Sequence, residues 1–239
     1  GHDEPSEQVE RGWAFIADDL RPAHGYVFSR RRYVPWVLDT AKAHVVQPSI
    51  DALSPKNQPL DEDAVGAILH HVGVLGGPAP SGPRTFVRTD GDVGTVRRRA
   101  DVTCHGPAPS PETPLVVQVS RWDPLKDMLG VMRAFASLVE AGGAADAHLL
   151  LAGPDVHGVT DDPEGPAVFG AAVRAWQALP EPLRRRVSLA MLPTDDIEEN
   201  AAIVNAIQRH ASVIAQKSLR EGFGLTVTEA MWKRRAVLA

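Results

Sequence analysis

From Leu115 onward the chain alternates short apolar runs with amphipathic stretches, and that alternation restricts it to a narrow set of folds. The runs at 115–120 (LVVQVS), 147–152, Val187–Leu192 and 212–215 are almost continuously apolar, as strands buried on both faces must be. Between them lie three helix patterns. The first carries a stripe of Leu125, Met128, Met132, Phe135, Leu138 and Val139, with Asp123 as N-cap and Pro124 as first helical residue; 167–179 and Ile197–His210 follow. Strands that each return through a helix pair in parallel with right-handed crossovers. The expected fold class is therefore α/β with a parallel sheet, whose ligands settle beyond the carboxyl ends of the strands.

The stretch 216–232, QKSLREGFGLTVTEAMW, sits at one such end. It follows an apolar strand, holds Gly222 and Gly224 in a polar turn, and begins a helix near Leu225. Glycines let the backbone approach a ligand closely, and unpaired N–H groups at a helix start favour anions, so the arrangement suits a phosphate. Glu221 and Glu229 flank the turn, placed to grip different parts of one ligand. A glycine turn of this kind also occurs in α/β proteins with no such ligand.

Arg121 and Lys126 follow the first strand of the series. With Asp123 as N-cap, Lys126 falls in the first helical turn, where the helix dipole disfavours its charge by roughly 0.3–1 kcal/mol. An anion held between the two cations would reverse that penalty; an exposed lysine screened by water is the other reading.

The string E-G-F-G-L-x-x-x-E-A resembles the nucleotide-sugar signature of retaining glycosyltransferases of family four, which have two facing Rossmann-like domains of the GT-B type. The resemblance implies that Glu221 binds donor-sugar hydroxyls and Glu229 the ribose, while Gly222, Phe223, Gly224 and Leu225 meet the sugar and diphosphate through their backbone. R-x-x-x-x-K after the first strand resembles the basic pair of that family, which implies that Arg121 and Lys126 bind the leaving diphosphate. In this reading Arg121, Lys126 and Glu221 form the catalytic group.

Upstream, VFSRRRYVP followed by QPSIDALSPKNQPL is similar to the interdomain crossing of the trehalose glycosyltransferring synthase and trehalose phosphorylase family, with Gln47 where the usual pattern has a proline. Residues 1–47 are then the C-terminal part of an N-terminal Rossmann-like domain, 48–60 the crossing, 61–114 a helix and an irregular, mobile segment, and 115–239 the nucleotide-sugar-binding Rossmann-like domain. The start without methionine and the unfinished strand at Ala236–Ala239 read as a fragment cut at both ends. Within it, Ser6 caps an amphipathic helix through Leu20, 25–29 and 43–46 are short strands, and Asp61 caps a helix through Val72. A hairpin is expected around Asp90 and Gly91, and 97–99 is read as a solvated run of arginines. His70 and His71, adjacent on a helix, read as surface histidines rather than a chelating pair.

The implied function is a retaining glucosyltransferase that takes a nucleotide-glucose donor and a glucose acceptor and makes trehalose, with the fragment alone inactive. The alternatives are trehalose phosphorylase, using phosphate and glucose 1-phosphate, and a non-catalytic nucleotide or sugar binding module. The turn SRWDPLKD lacks the G-x-G-x-x-G of a dinucleotide-binding dehydrogenase. No cofactor or metal is expected: the adjacent pairs Asp161–Asp162 and Asp195–Asp196 fall in loops, and Asp195 with Asp196 either borders the nucleotide base or caps the helix that begins near Ile197. A net charge of −5 gives nucleic acid no support as a partner, and no apolar run reaches the ~20 residues of a membrane span. With Cys104 the lone cysteine and no basic-then-apolar leader, a cytoplasmic enzyme is expected, with a homo-oligomer left open.

Overall fold

The computed structural model describes residues 6–144, 146–157 and 164–239. It divides into two compact units, Gly1–Ser49 and Ile50–Ala239. Asp161 and Asp162 lie outside the described residues.

In the first unit, α1 (Glu7–Leu20) starts where the Ser6 hydroxyl accepts a hydrogen bond from the Val9 amide at 3.3 Å. β1 (Tyr26–Phe28) pairs in parallel with β2 (Ala43–Val45), Tyr26 opposite Ala43. Between them the chain makes only 3₁₀ turns, at Arg31–Tyr33 and Thr40–Lys42, as expected around Pro35.

The second unit opens with α2 (Glu62–Val72), capped by Asp61 on the Ala64 amide at 2.6 Å and closed by Gly73 at φ 89°. β3 (Thr85–Val87) and β4 (Val93–Thr95) form the hairpin around Asp90 and Gly91. Then come β5 (Asp101–Thr103), β6 (Leu115–Val119), α3 (Met128–Glu140), β7 (His148–Pro154), α4 (Gly165–Gln177), the short α5 (Glu181–Arg184) and β8 (Val187–Leu192). α6 (Ile197–His210), β9 (Val213–Ala215), α7 (Leu225–Trp232) and β10 (Ala236–Leu238) complete it.

The six-stranded sheet runs β10-β9-β6-β7-β8-β5, all parallel except β5, which pairs antiparallel with β8. Alternate side chains supply separate cores on its two faces. Leu150, Ala152, Val117 and Ile214 pack under α2 and α6, while Leu149, Leu151, Leu189 and Ala215 pack under α3 and α4, where Trp176, Phe135 and Met132 are buried. The chain moves outward from β6 through β7 to β8, then returns to the other side of β6 for β9 and β10. That reversal leaves a crevice between the carboxyl ends of β6 and β9.

Two sequence expectations change. The helix expected at Pro124 is a 3₁₀ turn, Pro124–Lys126, and α3 starts at Met128. Asp127 makes the break: it sits in the left-handed region at φ 44° and its carboxylate caps the Gly130 amide at 3.0 Å. Lys126 therefore precedes the helix, and the dipole penalty argued from the sequence does not apply as stated.

The segment before Leu115 is anchored rather than loose. β5 joins the main sheet, and the Gln58 amide completes a strand-like pair with Val87, donating to its carbonyl at 2.8 Å and accepting from its N–H at 2.9 Å. The arginine run is exposed, as expected, and part of it also makes contacts. Arg98 donates to buried Glu199 and meets Asp195 at 3.2 Å, and the Arg97 and Arg98 amides donate to Glu199 at 2.7 and 2.6 Å.

Candidate functional site

The loops after β6 and β9 meet at the reversal of strand order. Trp122, fully buried, anchors the first: its indole N–H donates to the Pro154 carbonyl at 2.9 Å and its ring meets Phe169 edge-on at 4.8 Å. Gly153 is required below it, because a Cβ there would stand 2.6 Å from the Trp122 indole nitrogen and 2.7 Å from the Ser120 carbonyl oxygen. Gln118, a polar residue inside an otherwise apolar strand, donates to the Lys126 carbonyl at 2.7 Å and so fixes the backbone of that lysine.

Lys126 reaches across to the second loop and places its ammonium 2.6 Å from Glu221 Oε2. The same oxygen accepts from Gln216 Nε2 at 3.0 Å and Ser218 Oγ at 3.1 Å, and the Gly222 amide donates to Oε1 at 3.1 Å. Burial pulls the Glu221 carboxyl upward, but Lys126, Ser218 and Gln216 more than offset it and hold the group below the usual carboxylate range. Two further contacts join the loops: the Leu219 amide donates to the Leu125 carbonyl at 2.8 Å, and Lys217 pairs with Asp127. Gly224, at φ 68°, is the N-cap of α7 and makes the left-handed turn that β-carbon-bearing residues resist.

A cleft of about 620 Å³ opens here, a size suited to a ligand of drug or cofactor dimensions. The ends of β6, β7, β8 and β9 form its floor at Val119, Gly153, Leu192 and Gln216; α6 supplies a wall through Ile197, Asn200, Val204 and Gln208. Arg121, Lys126, Lys56 and Thr226 complete the rim.

Of the residues singled out from the sequence, Arg121 and Lys126 line this cleft, and Arg121 also meets Asp123 at 3.1 Å. Glu221 and Glu229 do not line it directly. Each is held by residues that do: Glu221 by Lys126 and Gln216, and buried Glu229 by Lys56 at 2.9 Å and Gln208 at 3.3 Å. Gly222 and Phe223, on the exposed turn between the two acids, and Leu225, the first residue of α7, stand outside the lining. Asp196 caps α6, accepting from the Glu198 and Glu199 amides at 3.1 Å, and pairs with Arg88 at 2.5 Å; of the two sequence readings of that residue, the cap is the one observed.

The sequence reading missed Lys56, Gln118, Gln208 and Gln216. A glutamine within LVVQVS was a legible signal; the other three become informative only once the chain is folded. Among the described residues, no cluster of His, Cys, Asp and Glu could hold a metal ion, and no helix is long and apolar enough to cross a membrane.

The sequence is 34% identical over 226 residues to the trehalose synthase of Pyrococcus horikoshii, covering 95% of this chain and 43% of that protein. It is 33% identical over 236 residues to the trehalose synthase of Rubrobacter xylanophilus, covering 98% of this chain and 44% of the relative. The chain is a homologue of the trehalose synthases. It spans less than half the length of these trehalose synthases. A solved trehalose-6-phosphate synthase superposes with a TM-score of 0.56 over 96% of this chain and 47% of its own, at 11% identity, a likeness of fold and of the GT-B type. No protein-family profile matches the chain.

Proposed function

We propose that this protein is a retaining glucosyltransferase that moves glucose from a nucleotide-glucose donor onto glucose, giving trehalose. The observation that carries the reading is the meeting of Lys126 and Glu221, from two separate loops, beside a ligand-sized cleft at the switch point of the sheet. The names of the homologous trehalose synthases support the product.

The chemistry follows from where charge develops. When the bond between the anomeric carbon and the diphosphate oxygen breaks, its electron pair leaves with the nucleotide and the sugar becomes oxocarbenium-like. Arg121 and Lys126 stabilise the departing diphosphate, and Glu221 and Glu229 hold sugar and ribose hydroxyls. In the free protein Glu221 neutralises Lys126; a diphosphate takes over that lysine, while Gln216 and Ser218 keep the carboxylate in place. The acceptor hydroxyl attacks from the face the diphosphate leaves, and its proton passes to a leaving phosphate oxygen, so the anomeric configuration is retained.

Incubating the intact protein with glucose plus either a nucleotide-glucose or glucose 1-phosphate tests this. Trehalose formed from the nucleotide-glucose, with release of the nucleoside diphosphate, is the expected result. Trehalose from glucose 1-phosphate alone makes it a phosphorylase. If neither mixture yields trehalose, the glucosyltransferase reading fails; a shift in melting temperature with nucleotide-glucose would then leave a binding module.

A further inference from the structure

One turn, Ser54 to Gln58, lies between α6 and α7 and carries Lys56 to the cleft. Both helices grip it. Asn205 donates to the carbonyls of Pro55 and Gln58 at 3.0 and 2.9 Å, Arg209 to those of Asn57 and Gln58 at 3.1 and 2.8 Å, and Trp232 to that of Asn57 at 3.2 Å. α7 and its C-cap, Lys233, add one side-chain contact each. Glu229 meets Lys56 at 2.9 Å, and Lys233, four residues on, donates to Asn57 Oδ1 at 2.7 Å. Lys233 and Asn57 are only 5% and 3% exposed, and Glu229 only 5%.

A buried ammonium is expensive to maintain, and this one is spent on an asparagine rather than on the carboxylate one turn away. We propose that Lys233 is a positioning residue for the cleft: through Asn57 it holds the turn against α7, and so sets where the Lys56 ammonium meets Glu229. The proposal rests on the reading of Glu229 as the acid that takes the nucleotide's ribose.

The contact is sensitive to protonation near neutrality. Burial pushes the Lys233 ammonium down to about 7, with Glu229 opposing the shift and Arg209 and Lys56 adding to it. These are the charged groups that bear on it from α7, α6 and the turn; Arg235 bears instead on Arg209 and His210. Protonated, Lys233 makes a charge-assisted bond to Asn57; neutral, it makes a weaker one, and the turn loosens.

The test titrates UDP-glucose and ADP-glucose calorimetrically against the intact protein from about pH 6 to about pH 9, a window spanning the ammonium's loss of charge. Affinity should fall as pH rises through 7 in the native protein. Lys233→Met should bind about tenfold more weakly at the acid end, the worth of one charge-assisted hydrogen bond, with a flat profile, and Lys233→Arg should keep the tight value throughout. Hydrogen exchange gives a readout independent of ligand: the Asn57 and Gln58 amides, which donate to the Ser54 carbonyl at 2.8 Å, should lose protection in Lys233→Met while those of β6 to β8 keep theirs.

If neither sugar nucleotide binds the native protein, the functional reading fails, and the exchange result alone decides the latch. If Lys233→Met keeps the native pH profile and protection, the proposal is overturned. Should that variant not fold, Lys233→Gln, which loses the charge but leaves the bonds from Asn57 to the Asp51 carbonyl and the Ser54 hydroxyl in place, is read the same way.

Discussion

Lys126 Nζ and Glu221 Oε2 stand 2.6 Å apart although 95 residues separate them in the chain. The pair joins the loop after β6 to the loop after β9, beside the second ion pair of Lys217 with Asp127. Removing the lysine should damage chemistry more than folding. Lys126→Ala is expected to lower kcat by about 10²–10³-fold, the usual loss for a group that stabilises developing charge, with little change in melting temperature. Turnover within a factor of a few of the native value would remove the leaving-group role.

Glu229→Ala should weaken nucleotide-sugar binding by about tenfold or more, since it deletes a buried acceptor and leaves Lys56 without its carboxylate. Calorimetry on the folded variant measures it. An unchanged dissociation constant would remove the ribose role.

Because the cations at the cleft are side chains, turnover should survive chelation. Adding excess EDTA to the trehalose assay is expected to leave the rate unaltered. A large loss restored by a divalent ion would mean that Arg121 and Lys126 do not suffice.

Asp196 makes the attachment of the hairpin to α6 pH-dependent. Its hydrogen bonds to Arg88, and then to the Glu199 amide, hold its carboxyl down to about 2. This lies below the ~3.9 of an unfolded aspartate, so the stabilisation is complete above about pH 4 and is lost as pH falls towards the folded value. Asp196→Ala should cost about 1 kcal/mol near neutral pH as a lost helix cap, a difference that shrinks in acid when both proteins are followed by urea unfolding.

Gly153→Ala should cost about 1–3 kcal/mol, because the added methyl meets the Trp122 indole and the Ser120 carbonyl beneath the cleft. A melting temperature equal to that of the native protein would show that the floor yields without strain.

The parallel half of the fold was legible because strands buried on both faces are written as apolar runs, and Val187–Leu192 and Ile197–His210 fall where the pattern puts them. β5 was not, since three residues flanked by arginines and prolines carry no period; its partner strand β8 defines it. The start of α3 was misplaced because Asp123 and Asp127 both cap, and only the folded chain shows that the first caps a 3₁₀ turn. Arg121 and Lys126, which line the cleft, could be picked from the sequence by their place after an apolar strand. Lys56, Gln208 and Lys233 could not, for their importance lies in the partners that folding assigns to them.

The bond from the Leu219 amide to the Leu125 carbonyl is made entirely of peptide groups, while both leucine side chains are largely open to water. Such a stitch is indifferent to what those two positions carry, proline at 219 excepted. Sequence drift there can remodel the lip of the crevice without altering the spacing between its banks.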